Sequence, residues 1–270
     1  MTQLEFTSKQ GKQYTVKAPN PSTQFNAAYV FAFAKSGSTL LENMLVTYCQ
    51  MHKLPQFSIF DVAFNQGIGT AEIAEDVREL IAQDGRIYSG FRHFPAFDLN
   101  VKNKKTVLLT RDPRDMLVSM YYSILKSHAI PKANKSLGKQ RELTGMRSID
   151  EDVLQRAKGY LNQFNRYQKM LEGSALKSYR YEDVIYKKQD WFADVLNHLG
   201  LPVNLNTVKI LTKRFDIIPS TEKESEHIRQ VHPGNYLKKL KPETIQQLNT
   251  ILLPFLTTYG YELTPKAIIG

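Results

Sequence analysis

The chain has a single cysteine, Cys49, which excludes an internal disulfide bond. This fits a reducing compartment, and we expect Cys49 to be a buried helix residue, not a nucleophile. No continuous apolar run is longer than residues 27–34, far below the roughly 20 residues that a membrane span requires. The N-terminal segment is polar and lacks the apolar core of a secretory signal. We therefore expect a cytoplasmic protein without a membrane span.

The sequence also lacks linkers rich in Gly, Pro or Ser, internal repeats and low-complexity segments. A chain of 270 residues with 42% hydrophobic content can bury one large core, which predicts a single domain over residues 1–270. No cluster of His, Cys and Asp has the spacing of metal ligands, so we expect no metal.

An apolar strand in residues 29–34 runs directly into the turn Lys-Ser-Gly-Ser-Thr and then an amphipathic helix. Such a turn directs backbone N–H groups and the positive end of the helix dipole at one point, where Lys35 adds a full charge. Further hydroxyl donors come from Ser36, Ser38 and Thr39. The pattern predicts a phosphate site, although it is not a Walker loop, because Lys35 precedes Gly37.

A second strand and helix follow each other in residues 105–123. Asp112 is a good N-cap, Pro113 suits the first helical position and Asp115 favours the first turn. This turn can therefore also bind an anion. Arg111 ends the strand, and Ser119 lies roughly 10 Å along the helix axis, so both side chains can reach one phosphate.

Strands near residues 29–34, 87–90, 106–110 and 176–181 alternate with helices. This pattern predicts a three-layer α/β/α fold with a mainly parallel central sheet, similar to P-loop nucleotide-binding proteins. Ligands bind such sheets beyond the carboxyl ends of the strands. Lys35, His93 and Arg111 each follow a strand end, which predicts a site at that edge.

In this order, the segments resemble those of the PAPS-dependent sulfotransferases of the soluble, cytosolic type. The first turn resembles their 5′-phosphosulfate loop, with Ala34 in place of a proline. Arg111 and Ser119 reproduce the Arg-(x)7-Ser spacing of their 3′-phosphate site. Two further segments match, one with His93 before Pro95 at a strand end and one with Arg229 in a late Arg-Gly stretch.

The resemblance implies in-line transfer of a sulfuryl group from PAPS to a hydroxyl or amine of a small-molecule acceptor, such as a natural product, with PAP as the other product. His93 would act as general base, and Lys35 would neutralise the charge that grows on the bridging oxygen. No metal is implied. The implied nucleotide-binding residues are Lys35, Ser36, Gly37, Ser38, Thr39, Leu40, Arg111, Ser119, Tyr181, Phe215 and Arg229.

Two positions depart from the family pattern. Leu40 stands where the family has an adenine-stacking tryptophan, so we expect Tyr181 and Phe215, with Thr212, to form the adenine pocket. Phe91 stands where the family has a lysine close to the histidine. Residues 126–147 are basic and carry Pro and Gly, which predicts a loop that is either solvated or a lid over the acceptor.

Two other functions remain open from the sequence. The first is a P-loop kinase that uses ATP, which the missing Walker pattern disfavours. The second is a non-catalytic nucleotide-binding or nucleic-acid-binding module, which only the net charge of +10 favours. Because PAPS is itself polyanionic, we expect no nucleic-acid partner. The sequence does not indicate an oligomeric state.

Overall fold

The computed structural model describes residues 1–92, 97–127, 135–219 and 230–263. The strands are β1 (Thr2–Thr7), β2 (Gln13–Ala18), β3 (Ala28–Ala32), β4 (Gln56–Phe57), β5 (Ile87–Phe91), β6 (Lys105–Thr110) and β7 (Ala175–Arg180). The helices are α1 (Ser38–Met51), α2 (Ile59–Asn65), α3 (Arg78–Ala82), α4 (Pro113–Tyr122), α5 (Lys135–Gly145), α6 (Ile149–Leu171), α7 (Tyr181–Val184), α8 (Lys188–Leu199), α9 (Leu205–Arg214), α10 (Tyr236–Lys239), α11 (Pro242–Ile251) and α12 (Leu253–Thr258).

The chain divides into two compact units. Unit 1 comprises Met1–Thr110 and Arg166–Asp216, and unit 2 comprises Arg111–Asn165 and Ile217–Gly270. Among the described residues, no helix is long and apolar enough to cross a bilayer.

The central sheet of unit 1 has the strand order β4-β5-β3-β6-β7, and the neighbouring strands are parallel. The four predicted strands are confirmed as β3, β5, β6 and β7. The mixed α/β fold with a parallel central sheet is confirmed as well. The sequence analysis did not predict β4 or the antiparallel hairpin of β1 and β2, because these strands are short or largely exposed and lack a long apolar run.

Strand β3 is buried at every residue, as expected for a central parallel strand covered on both faces. Because side chains alternate along a strand, its small residues Ala28, Val30 and Ala32 share one face. They belong to the same core cluster as the apolar residues of α1, α8 and α9. Helix α1 contributes buried residues at the spacing of one helical face, namely Leu41, Met44, Leu45, Tyr48 and Cys49.

The opposite face of β3 is aromatic. Tyr29 stacks on Tyr88 with ring centroids 5.2 Å apart, and Phe31 packs on Phe91 at 4.7 Å. Phe33, just past the strand, lies 4.5 Å from the ring of Tyr167. Burial of these large rings stabilises the packing on this face of the sheet.

Unit 2 corrects two predictions from the sequence. Part of the basic segment 126–147, predicted as a loop, forms α5, since its Lys, Gln, Arg, Glu and Leu residues favour helix without an apolar stripe. Residues 128–134 of this segment lie outside the described residues. The amphipathic pattern of residues 246–256 predicts one late helix, but the structure has two helices there, α11 and α12, with a break at Leu252 before Pro254.

Candidate active site

The turn after β3 has the backbone of an anion-binding turn. Lys35 has φ 70° and Gly37 has φ 93°, both in the left-handed region, which is uncommon for a lysine. Gly37 is the N-cap of α1, and its carbonyl accepts from the N–H of Leu41 at 3.2 Å. The first N–H groups of a helix have no carbonyl partner within that helix. The N–H groups of Ser38 and Thr39 and the positive end of the α1 dipole therefore lie at this turn, whereas the N–H of Ser36 donates to the carbonyl of Phe33 at 3.2 Å.

The hydroxyl of Ser36 stabilises this turn by hydrogen bonds inside the protein. Its side chain is buried, and its hydroxyl donates to the carbonyls of Phe33 at 2.7 Å and Leu109 at 3.1 Å. The N–H of Phe33 donates to the same Leu109 carbonyl at 3.1 Å. The hydroxyl of Ser36 is thus used inside the protein and ties the turn to β6, whereas the sequence analysis assigned it to a phosphate. Ser38 and Thr39 lie in the first turn of α1 and are partly exposed.

Tyr181 lies against Gly37. It is the first residue of α7, directly after β7, and it is buried. A Cβ atom on Gly37 would lie 2.9 Å from Cδ2 of Tyr181, so this position accepts only glycine on grounds of both space and φ. The structure therefore brings together two of the predicted site residues.

The other predicted adenine residues lie in the core of unit 1. Leu40 and Phe215 are partly buried and pack against the same core cluster. The Thr212 hydroxyl donates to the carbonyl of Val208 in its own helix, at 2.9 Å. This local bond uses the polar group of Thr212 within α9.

The turn after β6 lies in unit 2, and its predicted helix start is confirmed. The carboxylate of Asp112 accepts from the N–H of Arg114 at 2.9 Å, and Pro113 occupies the first helical position. Arg114 also donates through Nε and Nη2 to both oxygens of Asp112, at 2.9 and 2.6 Å. The guanidinium lies over the ring of Tyr236, 4.3 Å from its centroid. Burial raises the pKa of Asp112, against the effect of its bonds with Arg114.

The carboxylate of Asp115 accepts several hydrogen bonds at this second turn. Its side chain is fully buried, and Oδ2 accepts from Nη2 of Arg111 at 3.1 Å. The same oxygen accepts from the N–H of Gly234 at 2.8 Å, and Oδ1 accepts from the N–H of Tyr236 at 2.9 Å. One carboxylate therefore fixes the predicted phosphate-binding arginine and the backbone of the late Arg-Gly stretch. Ser119 lies on α4 and is partly exposed.

Two predicted residues, His93 and Arg229, lie outside the described residues. The described chain reaches Arg92 on one side and resumes at Phe97 on the other, and it resumes again at Gln230. The roles of His93 and Arg229 therefore stay predictions.

Glu42 is a buried carboxyl group that the sequence analysis did not identify. Its oxygens accept from the Ser89 hydroxyl at 2.7 Å, the Gly90 N–H at 2.9 Å and Nε2 of Gln56 at 3.4 Å. Burial raises the pKa of Glu42 to about 7, because these donors are neutral and compensate only in part for lost hydration. The one sequence signal of this buried carboxyl group is the position of a glutamate between the core residues Leu41 and Met44 of an amphipathic helix.

The described residues also bear on metal binding and on the reactivity of the Cys49 thiol. Among the described residues, no group of three or more His, Cys, Asp or Glu side chains could hold a metal ion. Cys49 is a buried helix residue, as predicted, and burial raises the pKa of its thiol to about 12. A thiol with so high a pKa is not a nucleophile at neutral pH.

Comparison with known proteins gives a family. A sulfotransferase domain model matches residues 27–252 of the chain. A solved structure of mouse sulfotransferase SULT7A1 complexed with PAP aligns with a TM-score of 0.55 and 10% identity, over 89% of this chain and 86% of that one. Retinol dehydratase in complex with androsterone and the inactive cofactor PAP aligns with a TM-score of 0.52 and 12% identity, over 85% and 80%. A search of curated proteins finds no significant match.

Asp115→Ala should destabilise the protein by about 3–5 kcal/mol, because it leaves the Arg111 charge and two backbone N–H groups without their acceptor. Asp150→Ala is the matched control, since the Asp150 carboxylate accepts one backbone N–H, that of Lys241, at the surface at 3.0 Å. We expect a loss below about 1 kcal/mol there. Urea unfolding measures both, and equal losses would show that Asp115 does not hold the late stretch.

The stability of the protein should fall as pH rises from about 5 to about 8, by about 3 kcal/mol through Glu42 alone. The folded pKa is raised, so the folded state binds more protons than the unfolded state in this window, and a rise in pH favours unfolding. Glu42→Gln should remove this part of the dependence. The charged groups that also act on Glu42 are Asp61, which raises its pKa, and Arg92, which lowers it.

Asp84→Asn is the control for this measurement. The carboxylate of Asp84 also accepts a backbone N–H, that of Ala27 at 2.8 Å, and this bond lowers the pKa of Asp84. Its contribution to stability is therefore present above the unfolded pKa and is lost only in more acidic solution. Urea unfolding at both pH values should show the wild-type dependence in Asp84→Asn. An unchanged dependence in Glu42→Gln would contradict the assignment.

Proposed function

Because the chain belongs to the sulfotransferase domain family, we propose that it transfers a sulfuryl group from PAPS to a hydroxyl or amine of a small-molecule acceptor and releases PAP. The observation that carries this proposal is the turn Lys35 to Gly37 between the central strand β3 and α1, with its two left-handed residues and free helix N-terminus. The two aligned sulfotransferase-fold structures, both determined with PAP, support the same nucleotide.

The residues present fit this nucleotide. The Tyr181 ring packs against Gly37 where a Cβ would lie, which puts an aromatic side chain beside the turn that would hold the anion. Thr110, the last residue of β6, has a buried hydroxyl without a hydrogen-bond partner in the described part of the chain, and a bound group could satisfy it. Arg111 is held in the second turn by Asp115. In the proposal, the first turn binds the phosphosulfate end and Arg111 with Ser119 binds the 3′-phosphate.

The transfer needs two groups at the reacting atoms. His93 takes the proton of the acceptor while the acceptor oxygen or nitrogen forms its bond to sulfur. The bond between sulfur and the bridging oxygen breaks, and PAP leaves with the electron pair while Lys35 neutralises the charge on that oxygen. The proton passes from His93 to solvent. Positioning and fixed charges therefore supply the catalysis, with no covalent intermediate on the enzyme.

Three further expectations, on domain organisation, location and partners, belong to the same proposal. A single sulfotransferase domain over residues 1–270 is supported by a family match that includes residues of both units. A cytoplasmic location is supported by the one cysteine, which is free and buried. The basic charge is assigned to the polyanionic nucleotide, so nucleic acid is not proposed as a partner.

PAP should bind, and Arg111→Ala should weaken PAP binding about tenfold to a hundredfold, because a charge-assisted contact is lost. Arg78→Ala is the matched control, since Arg78 is an exposed arginine paired with Glu75 at 2.9 Å. Calorimetric titration of the folded protein measures its affinity for PAP and, in parallel, its affinity for ATP with Mg²⁺. Preference for ATP with Mg²⁺ would favour a kinase, and RNA binding that persists in Arg111→Ala and Lys35→Ala would favour a nucleic-acid module.

His93→Ala should retain the PAP affinity and lose about a hundredfold or more of the turnover, because a general base is removed. His52→Ala is the control, since His52 lies at the far end of α1 and contacts Thr207. Pools of alcohols, phenols and amines incubated with PAPS identify the acceptor by a mass gain of one SO₃ group. Full turnover in His93→Ala would contradict the base, and a crystal with PAP in which Lys35 and Ser119 face separate cavities would contradict the site.

A further inference from the structure

Strand β5 contains one extra residue close to its carboxyl end. Tyr29 of β3 pairs with Tyr88, but Phe31 pairs with Phe91, so two residues of β5, Ser89 and Gly90, lie opposite one residue of β3. Gly90 lies in this bulge with φ 81°. A Cβ atom there would lie 2.1 Å from Oγ of Ser58, so the bulge requires glycine. Bulges redirect the chain that follows them, and Phe91 and Arg92 follow this one.

A bulge disturbs the hydrogen-bond ladder, and Glu42 compensates for this one. Its Oε2 accepts the Gly90 N–H at 2.9 Å, and its Oε1 accepts the Ser89 hydroxyl at 2.7 Å. Gln56 of the neighbouring strand β4 donates to Oγ of Ser89 at 2.6 Å and completes the cluster. Glu42 thus binds both residues at the bulge from a side chain that is 8% exposed.

The end of β5 is held from other directions as well. The hydroxyl of Tyr167 donates to the carbonyls of Ala32 at 3.1 Å and Phe91 at 3.3 Å, which ties the ends of β3 and β5 together. The Arg92 N–H donates to the Gly90 carbonyl at 3.0 Å, and its guanidinium pairs with Asp61 at 3.6 Å. Among these groups, Glu42 is the acceptor of the Gly90 N–H.

Helix α1 connects this cluster to the first anion-binding turn. Gly37 is the N-cap of α1 and Glu42 lies in its second turn. A small cavity of about 10 Å³ is lined by residues of both, among them Ser38, Glu42, Gly90 and Arg92. The same helix therefore begins at the Lys35 turn and anchors the strand end that leads to His93.

We propose that Glu42 is a positioning residue for sulfuryl transfer, whose reach to the Gly90 N–H holds the end of β5 and Arg92, the last described residue before His93 in the sequence. This inference rests on the proposed function and on His93 as its base. It assigns Glu42 no contact with the acceptor or the nucleotide. A small displacement of a catalytic group lowers the rate of the chemical step much more than it lowers binding. A loss confined to turnover therefore separates positioning from general destabilisation.

Three substitutions separate reach from charge. Glu42→Gln keeps the length of the side chain and removes the charge; its amide oxygen can accept from Gly90 while its NH₂ donates to Ser89. Glu42→Asp keeps the charge and shortens the side chain by one methylene. Glu42→Ala removes both. Asp84→Asn and Asp84→Ala are the matched controls, because Asp84 accepts the Ala27 N–H just before β3 starts, away from the carboxyl ends of the strands.

We expect Glu42→Asp and Glu42→Ala to lose about tenfold or more in kcat, with the Kd for PAP unchanged within about twofold. Glu42→Gln should restore most of the wild-type kcat. The probe acceptors are naphthol, cyclohexanol and benzylamine, a phenol, an alcohol and an amine, with PAPS as donor. The Asp84 variants should keep the wild-type kcat whatever their stability.

Amide hydrogen exchange provides a readout that does not depend on turnover. The Gly90 amide should exchange faster in Glu42→Asp and Glu42→Ala than in the wild type, and as slowly as wild type in Glu42→Gln and the Asp84 variants. If Glu42→Ala does not fold, the comparison of Glu42→Asp with Glu42→Gln still decides the question.

Two failures can be told apart. A wild-type chain that binds PAP but sulfates none of the probes contradicts the proposed function, and with it this inference. A wild-type chain that is active while Glu42→Asp keeps full kcat overturns the inference alone. So does a Glu42→Gln variant that is as slow as Glu42→Ala, because charge and not reach would then be required.

Discussion

The parallel hydrogen-bond ladder of β3 between β5 and β6 is the constraint on which the rest of the structure depends. Parallel pairing gives neighbouring strands the same direction, so the chain leaves all three strands at one edge of the sheet. Within unit 1, the Lys35 turn follows β3, Arg92 follows β5 and Thr110 is the last residue of β6. Their common position is a property of the ladder, and no single side chain creates it.

Each unit stabilises irregular backbone with a buried carboxylate. In unit 1, Glu42 accepts the N–H of the bulged Gly90. In unit 2, Asp115 accepts those of Gly234 and Tyr236 and also pairs with Arg111. Buried acids are unfavourable unless several donors satisfy them, and each of these has three. In both units, a buried carboxylate therefore holds irregular backbone by accepting its N–H groups.

The sequence was most informative where a signal is local. The apolar run of β3, the cap at Asp112 and Pro113, and the Lys-Ser-Gly order all predict structure from a few adjacent residues, and the described chain agrees with them. Segment 126–147 was misjudged because α5 has helix-forming residues without a clear apolar face. Glu42 and Asp115 act on partners that are distant in the chain, 48 and 119 residues away, and no local pattern encodes such contacts.

The contact between Gly37 and Tyr181 has a consequence for anyone who wishes to alter this enzyme. The ring leaves no room for a larger residue at Gly37, so the turn at residues 35–37 has little capacity for variation. Laboratory evolution toward new acceptors should therefore find few viable variants at residues 35–37. Productive changes should instead accumulate at exposed positions, such as Phe64 and Asn65 in α2 and Lys139 and Gln140 in α5.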